Sequence, residues 1–292
     1  MDNILLLGRN GQVGWELCRS LAPLGRLRAF DFPDVDFSNP ESLRRVVREA
    51  APRVIVNAAA YTAVDKAESE EALATRINAE AVGVLAEEAK AAGALLVHYS
   101  TDYVFDGSKE NPYVESDPVA PLGVYGRSKA AGEAAVAASG CEGLVFRTSW
   151  VFGLHGGNFV KTVLRLAAER EALKVVDDQV GSPTPAALIA DVTAQALVAV
   201  RDGRLASGLY HLTAADPVSW RAFACAIVEA AARQGRALRL QAENIAGIPT
   251  AEYPLPAKRP ANSRLDCSRL ESALNIGLPG WRPYLERMLE FV

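Results

Sequence analysis

Tyr125 and Lys129, in the run Tyr125-Gly126-Arg127-Ser128-Lys129, are the side chains best suited to acid–base chemistry in this sequence. Four positions apart, they project from one face of a helix, one turn from each other. A free phenol titrates near 10 and is too weak an acid to exchange protons readily at neutral pH. An ammonium at roughly 4 Å, in an effective dielectric near 20, favours the phenolate by on the order of 4 kcal/mol, or about 3 pKa units. The pair is therefore a candidate proton donor and acceptor. In a chain with eight tyrosines the spacing also arises by chance, so its meaning rests on the elements that position it.

Those elements begin at the N-terminus. Asn3–Leu7 is an apolar run of the kind buried on both faces of a parallel sheet. Gly8-Arg9-Asn10-Gly11-Gln12-Val13-Gly14 follows, and then an apolar-periodic helix over Trp15–Leu24. In such a strand–turn–helix, Gly8 permits the sharp turn, Gly11 admits a pyrophosphate close to the backbone, and Gly14 lets the helix pack on the sheet. Free N–H groups and the helix dipole then favour the phosphates. A second strand, Arg26–Phe30, ends at Asp31, placed to accept from a ribose 2′-hydroxyl, which argues for NAD. Arg9 argues for NADP, because it offers a partner to a 2′-phosphate, so NADH and NADPH both stay open. Asp36 and Phe37 come next, in position to flank an adenine. Asn39-Pro40 reads as the cap and first residue of a helix over Glu41–Ala50. The strand Arg53–Asn57 runs into Ala58-Ala59-Ala60-Tyr61-Thr62, whose small residues leave room for a dinucleotide.

Glu70–Ala92 carries one long helical pattern ended by Gly93, and Ala94–His98 is a fourth strand. Ser100 and Thr101 then place hydroxyls at a carboxyl end, where doubly wound sheets bind ligands. Pro112, Pro118 and Pro121 force a sharp start to the helix bearing Tyr125. Leu144–Ser149 is a fifth strand with Trp150 at its exit. Strands alternating with helices over residues 1–150 predict an α/β fold, a Rossmann-like doubly wound parallel sheet that binds a dinucleotide. Residues 151–292 read as a smaller mixed α/β substrate lobe interleaved with the first. It has helices from Asn158 to Arg170 and over Ala187–Arg201, Ser219–Gln234 and Gly280–Phe291. Its strands are Lys174–Val176, Gly208–Thr213 and Ala237–Leu240.

Half of the 292 residues are apolar, 23% are charged and the formal net charge is −4, which predicts a soluble globular protein with an ample core. No basic block suggests nucleic acid or an anionic membrane surface, no apolar run reaches transmembrane length, and Met1-Asp2-Asn3-Ile4 lacks the features of an export signal. Cys18, Cys141, Cys225 and Cys267 lie far apart without metal-type spacing and read as packing residues of a reducing compartment. With His98, His155 and His211 also scattered, no metal site is assigned and a cytoplasmic location is expected.

A phosphate turn after the first strand, a hydroxyl after the fourth and Tyr-x-x-x-Lys on the next helix together resemble the extended short-chain dehydrogenase/reductase superfamily. Gly8–Leu17, Asn57–Glu68, His98–Phe105, Tyr125–Lys129, Arg147–Val151, Asp178–Pro183 and Arg259–Leu265 are similar to the dTDP-4-dehydrorhamnose reductase family, over nearly the whole chain. This resemblance implies reduction of the 4-keto group of dTDP-4-dehydro-β-L-rhamnose to dTDP-L-rhamnose by NADPH or NADH, the last step toward a precursor of cell-surface polysaccharide such as the O antigen of lipopolysaccharide.

It further implies Tyr125 as proton donor, Lys129 on the nicotinamide ribose and Thr101 as hydrogen-bond donor to the carbonyl oxygen. Gly11, Gln12, Val13, Asp31, Asp36, Phe37, Ala60, Tyr61 and Thr62 are implied to line the cofactor. Asp102 is implied to contact substrate and Trp150 to pack on the sugar ring. Gln179, Arg259 and Arg264 are candidates for the nucleotide end, because an arginine fork suits a pyrophosphate. Some members bridge subunits with magnesium through glutamates, one of which matches Glu16. The second falls at Ala187 and no acidic tail precedes Val292, so the expectation is no metal and a monomer or weak homodimer. Two rivals stand beside the reductase. One is a nucleotide-sugar epimerase or dehydratase on the same fold, although Tyr103 occupies the place of a dehydratase-like glutamate. The other is a non-catalytic nucleotide-binding regulatory subunit, against which Tyr125 and Lys129 are both present.

Overall fold

A computed structural model describes residues 2–292. The first apolar run forms β1 (Asp2–Leu7), which sends Ile4 and Leu6 into one core cluster and Leu5 and Leu7 into another. A strand covered on both faces must be apolar at every position, whereas a half-exposed one alternates. There follow α1 (Gln12–Leu21), β2 (Gly25–Phe30), α2 (Pro40–Ala50) and β3 (Val54–Asn57). Asn39 caps α2 by accepting from the amides of Glu41 and Ser42, with Pro40 in the first turn. Next come α3 (Val64–Ala67), α4 (Glu71–Thr75), a single π-helical turn over Arg76–Glu80 and α5 (Ala81–Ala92). The long helix expected over this stretch is thus interrupted by a wide turn, a form that recurs at functional sites. Gly93, left-handed at φ 61°, ends it. β4 (Leu95–Thr101), α6 (Val124–Ser139) and β5 (Gly143–Thr148) complete the regular alternation.

Beyond it run β6 (Val151–Phe152), α7 (Phe159–Glu169), β7 (Leu173–Val176), β8 (Val180–Gly181), β9 (Thr184–Pro185) and α8 (Ala186–Arg201). β10 (Gly208–His211), β11 (Val218–Ser219), α9 (Trp220–Arg233), β12 (Ile245–Ile248), α10 (Ser268–Leu274) and α11 (Arg282–Leu289) finish the chain. The central sheet has the order β10-β5-β4-β3-β1-β2, and every pairing in it is parallel. Leu17 and Leu21 of α1 and Leu188, Ile189 and Val192 of α8 cover one face. Leu43 and Val46 of α2, Val82 and Leu85 of α5 and Val136 of α6 cover the other. This is the α/β doubly wound fold that the alternation predicts. Its sixth strand, β10, comes from the second half of the chain. Phe152, Phe223 and Trp281 from that half share one core cluster with Leu6. Among the described residues no helix is long and apolar enough to cross a membrane.

The strand expected at Ala237–Leu240 does not form. Leu240 is buried as an apolar residue should be, but the amides of Arg239 and Leu240 both donate to the carbonyl of Ala167, near the end of α7. Helix C-termini leave carbonyls without partners, and that demand takes the segment out of a sheet. The parallel partner of β7 is β12 instead.

β2 and β3 lie on opposite sides of β1. The connection after β1 runs to β2 on one side and the one after β3 runs to β4 on the other, so a crevice opens at the carboxyl ends of β1 and β3, the place where open α/β sheets bind ligands.

Candidate active site

Glycines shape the crevice. Gly8 is left-handed at φ 86°, and a Cβ on it would lie 2.5 Å from the amide nitrogen of Ala59. A Cβ on Gly14 would lie 1.9 Å from the carbonyl oxygen of Gly8. Both positions exclude any side chain because backbone meets backbone there. Gly11 differs: its added Cβ would meet only the Gly8 oxygen, at 3.4 Å. Gly11 also opens α1 without a side-chain cap, so the first amides of the helix face an anion unshielded. A dinucleotide pyrophosphate fits this cradle. Gly14→Ala is expected to weaken cofactor binding roughly tenfold or more, about 1.4 kcal/mol, as read by fluorescence titration with NADPH and NADH.

Asp31 staples the glycine turn to the end of β2, accepting from the amides of Asn10 and Phe32, each at 2.8 Å. Arg9 bonds the Ala29 carbonyl at 3.1 Å and Asp34 at 3.4 Å. Both residues thus stand at the end of β2, where a ribose would lie. Gln12 accepts from Asn158 at 3.0 Å and so ties the turn to the second half of the chain. Val13 packs partly against the core. Asp36 accepts from the amide and hydroxyl of Ser38. The ring of Phe37 is buried with Leu5, Val35 and Leu43 beneath α2.

Ala60, Tyr61 and Thr62 follow β3 on the opposite wall. Tyr61 donates to Glu70 at 2.5 Å, and that hydrogen bond pushes its phenol up to about 12. Asn78, on the π-helical turn, grips the backbone of Tyr61 at both ends, at 2.8 and 3.0 Å, and donates to the Ser128 hydroxyl at 3.0 Å. It thereby joins this wall to α6.

α6 carries Tyr125 and Lys129. Its first amide, of Val124, donates to the carboxylate of Glu68 at 2.8 Å, a negative charge at the positive end of the helix. A Cβ on Gly126 would lie 2.1 Å from the Tyr103 carbonyl oxygen, so the first turn of α6 lies directly on the segment that follows β4. The Tyr125 ring meets Tyr103 edge-on, with centroids 5.6 Å apart. Burial, then the charge of Asp102, pushes the Tyr125 phenol up to about 12, with the Thr101 hydroxyl acting the other way. Burial likewise pushes Asp102 up to about 6, opposed by the nearby hydroxyls of Ser263 and Thr101. Its Oδ1 accepts from Thr101 at 3.0 Å, and its buried Oδ2 has no partner among the described residues.

Lys129 is buried, donates to the Tyr99 carbonyl at 2.5 Å and lies 3.3 Å from His98 Nε2. Burial pulls its ammonium down to about 8, opposed by the charge of Glu133. The sequence suggests a lysine that lowers the phenol. In the protein by itself the ammonium is engaged by β4, and burial and Asp102 keep the phenol protonated.

A cavity of about 570 Å³ borders this region, its wall including Leu122, Phe159, Gln179, Trp220, Tyr253 and Arg259. Gln179 donates to the Thr250 hydroxyl at 3.0 Å, and Arg259 forks onto Asp65 at 3.1 and 2.8 Å. Trp150, at φ 47°, stacks face to face on Trp220 with ring centroids 3.5 Å apart. Trp220, rather than Trp150, lines the cavity. Arg264 is not brought there. It bonds Asn262 at 2.8 Å and the Glu110 carbonyl instead.

Glu16 pairs with Arg19 at 3.3 Å, and no cluster of three metal-ligating side chains occurs among the described residues. Sequence reasoning missed Asn78 and Trp220, for which spacing holds no signal. It also missed Asp65 and Glu68, although both lie inside the Asn57–Glu68 motif.

Comparison with known proteins accords with this geometry. The family model described as RmlD substrate binding domain matches residues 1–292. The dTDP-4-dehydrorhamnose reductase of Burkholderia thailandensis is 53% identical over 283 residues, covering 96% of this chain and 95% of that protein. That of Escherichia coli is 49% identical, covering 98% of this chain and 97% of its own length. A crystal structure of the Bacillus anthracis dTDP-4-dehydrorhamnose reductase in complex with NADP superposes with a TM-score of 0.89 at 36% identity, covering 100% of this chain and 99% of that one. The Thermus thermophilus UDP-glucose 4-epimerase, at 19% identity and a TM-score of 0.81, shares the fold alone. Matched from end to end by the family model and by these relatives, the chain belongs to the RmlD substrate binding domain family, that of the dTDP-4-dehydrorhamnose reductases.

Proposed function

We propose that the protein reduces the 4-keto group of dTDP-4-dehydro-β-L-rhamnose to the alcohol of dTDP-L-rhamnose, using NADPH or NADH. The observation that carries this reading is the Tyr125 phenol, held protonated at the end of β4 beside Thr101 and one helical turn from Lys129. When bound, the nicotinamide supplies the hydride to the carbonyl carbon. Tyr125 delivers its proton to the oxygen, and an alkoxide is basic enough to take it even from a phenol raised by burial. Thr101 donates a hydrogen bond to the same oxygen as charge develops there. Lys129 holds the ribose hydroxyls and favours the phenolate left behind.

Gly8, Gly11, Gln12, Val13 and Gly14 cradle the pyrophosphate. Asp31 and Arg9 stand at the adenosine ribose, with Asp36 and the backbone of Phe37 beyond them. Ala60, Tyr61 and Thr62 form the facing wall. The unpartnered Oδ2 of Asp102 takes a sugar hydroxyl. Trp150, backed by Trp220, flanks the sugar ring. Gln179 and Arg259 serve the nucleotide end in the 570 Å³ cavity, whose volume suits a ligand of this size. Arg264 supports the loop that frames it.

Residues 1–150 act as the dinucleotide-binding domain and 151–292 as the substrate lobe, which returns α8 and β10 to the sheet. With Ala187 in place of a second glutamate, the protein works without magnesium, in the cytoplasm, as a monomer or weak homodimer.

The test mixes the protein with the 4-keto sugar nucleotide and follows the absorbance of NADPH and NADH separately. Net oxidation of either is expected. Product formed without net oxidation points to epimerisation, and cofactor binding without product points to a regulatory subunit.

A further inference from the structure

Behind Tyr125, two buried side chains that the reduction above leaves without a role form a line with Lys129. Asn57 ends β3, His98 lies within β4 and Lys129 projects from α6, and they are 1%, 0% and 2% exposed. Asn57 Nδ2 is 3.3 Å from His98 Nδ1, and His98 Nε2 is 3.3 Å from Lys129 Nζ. The backbone sets the direction of the Asn57 amide. Its Oδ1 accepts from the amide of Ala59 at 3.2 Å, and the reversed orientation would set donor against donor. With the amide NH₂ donating, His98 Nδ1 is an acceptor, and a neutral imidazole then carries its single proton on Nε2. That N–H points at Lys129. An ammonium has no lone pair, so it opposes this proton, whereas the free amine accepts it. His98 does not escape the conflict by charging, because burial, reinforced by Lys129, holds it well below the usual histidine range.

We propose that His98 is a positioning residue that senses the protonation of Lys129: Asn57 selects the Nε2–H tautomer, which donates to the amine form, and protonation of Lys129 drives the imidazole proton to Nδ1. Other groups favour the ammonium. The Tyr99 carbonyl accepts from it, and Glu133 lies one turn further along α6, itself held by Arg147 of β5. Tyr125 lies one turn back, and the nearby carboxylate of Asp102 acts on Tyr125 rather than on Lys129. The balance leaves Lys129 titrating near pH 8. Ribose hydroxyls arriving as acceptors for the ammonium shift this balance, so cofactor binding in mildly alkaline solution takes up a proton. That consequence rests on the function proposed above; the tautomer assignment does not.

The chain has three histidines, so ¹⁵N-histidine spectra are simple to read, with the His98 signals identified by their loss in His98→Gln. In the cofactor-free protein, the Nε2–H tautomer is expected in alkaline solution, with a step toward Nδ1–H as pH falls through about 8. The step should vanish in Lys129→Met. One unchanging tautomer across the titration, or a step that persists in Lys129→Met, overturns the proposal. Added NADPH should move the step to higher pH by about one unit, a tenfold change in proton affinity. A step present in the free protein but unmoved by NADPH or NADH would uphold the His98–Lys129 coupling and count against the proposed use of Lys129 on the cofactor.

Discussion

Tyr125→Phe is expected to cut turnover at least about a hundredfold while cofactor affinity stays within a few-fold, the scale of a lost general acid. The substitution removes one hydroxyl and leaves the ring that packs edge-on against Tyr103, so the helix start and the crevice should be undisturbed. The phenol is held protonated by burial and by Asp102, and in the reducing direction a protonated donor is what the alkoxide requires. Without it the Thr101 hydroxyl remains, which donates to Asp102 and has no lysine one helical turn away to stabilise its anion. Steady-state rates at saturating substrate, set beside a fluorescence titration of cofactor, separate the two effects. Turnover equal to that of the unaltered protein would remove Tyr125 from the mechanism. A parallel loss of cofactor affinity would instead make it a binding residue.

Arg147→Met should have the largest effect on stability. Arg147 and Glu133 are 4% and 9% exposed at their side chains and join through two hydrogen bonds of 2.9 and 2.6 Å. The guanidinium also lies 4.9 Å from the centre of the Phe105 ring. Removing it strands a buried carboxylate, which costs about 3–5 kcal/mol and lowers Tm by roughly 10 °C in a chain of this size. Combining Arg147→Met with Glu133→Leu removes both charges and should recover much of the loss, since apolar replacement of a whole buried pair is often near neutral. Thermal unfolding of the single and double variants checks this. A double variant no more stable than Arg147→Met would show that packing, not the stranded charge, sets the cost.

The two variants illustrate different kinds of legibility. Tyr125 and Lys129 are readable because a helix forces residues four apart onto one face, whatever surrounds them. The glycine turn is readable for a similar reason: a strand running into Gly8 and a helix packed through Gly14 leave backbone no other conformation. Apolar runs bounded by turn formers located the five strands of residues 1–150. The same rule failed at Ala237–Leu240, where two amides were claimed by the end of α7.

What the sequence determined by itself was local in its physics: strand and helix periods, the glycine turn, the Asn39 cap and the spacing of Tyr125 and Lys129 on one helix face. What only the tertiary structure decided was which distant groups meet. Glu68 on the first amide of α6, Asn78 between the Tyr61 backbone and Ser128, Glu133 on Arg147, Trp220 against Trp150 and His98 between Asn57 and Lys129 are all contacts across separate elements. Protonation followed from those contacts. Burial raises Tyr125 and lowers Lys129, and the depth at which a side chain sits belongs to the folded packing rather than to its neighbours in sequence.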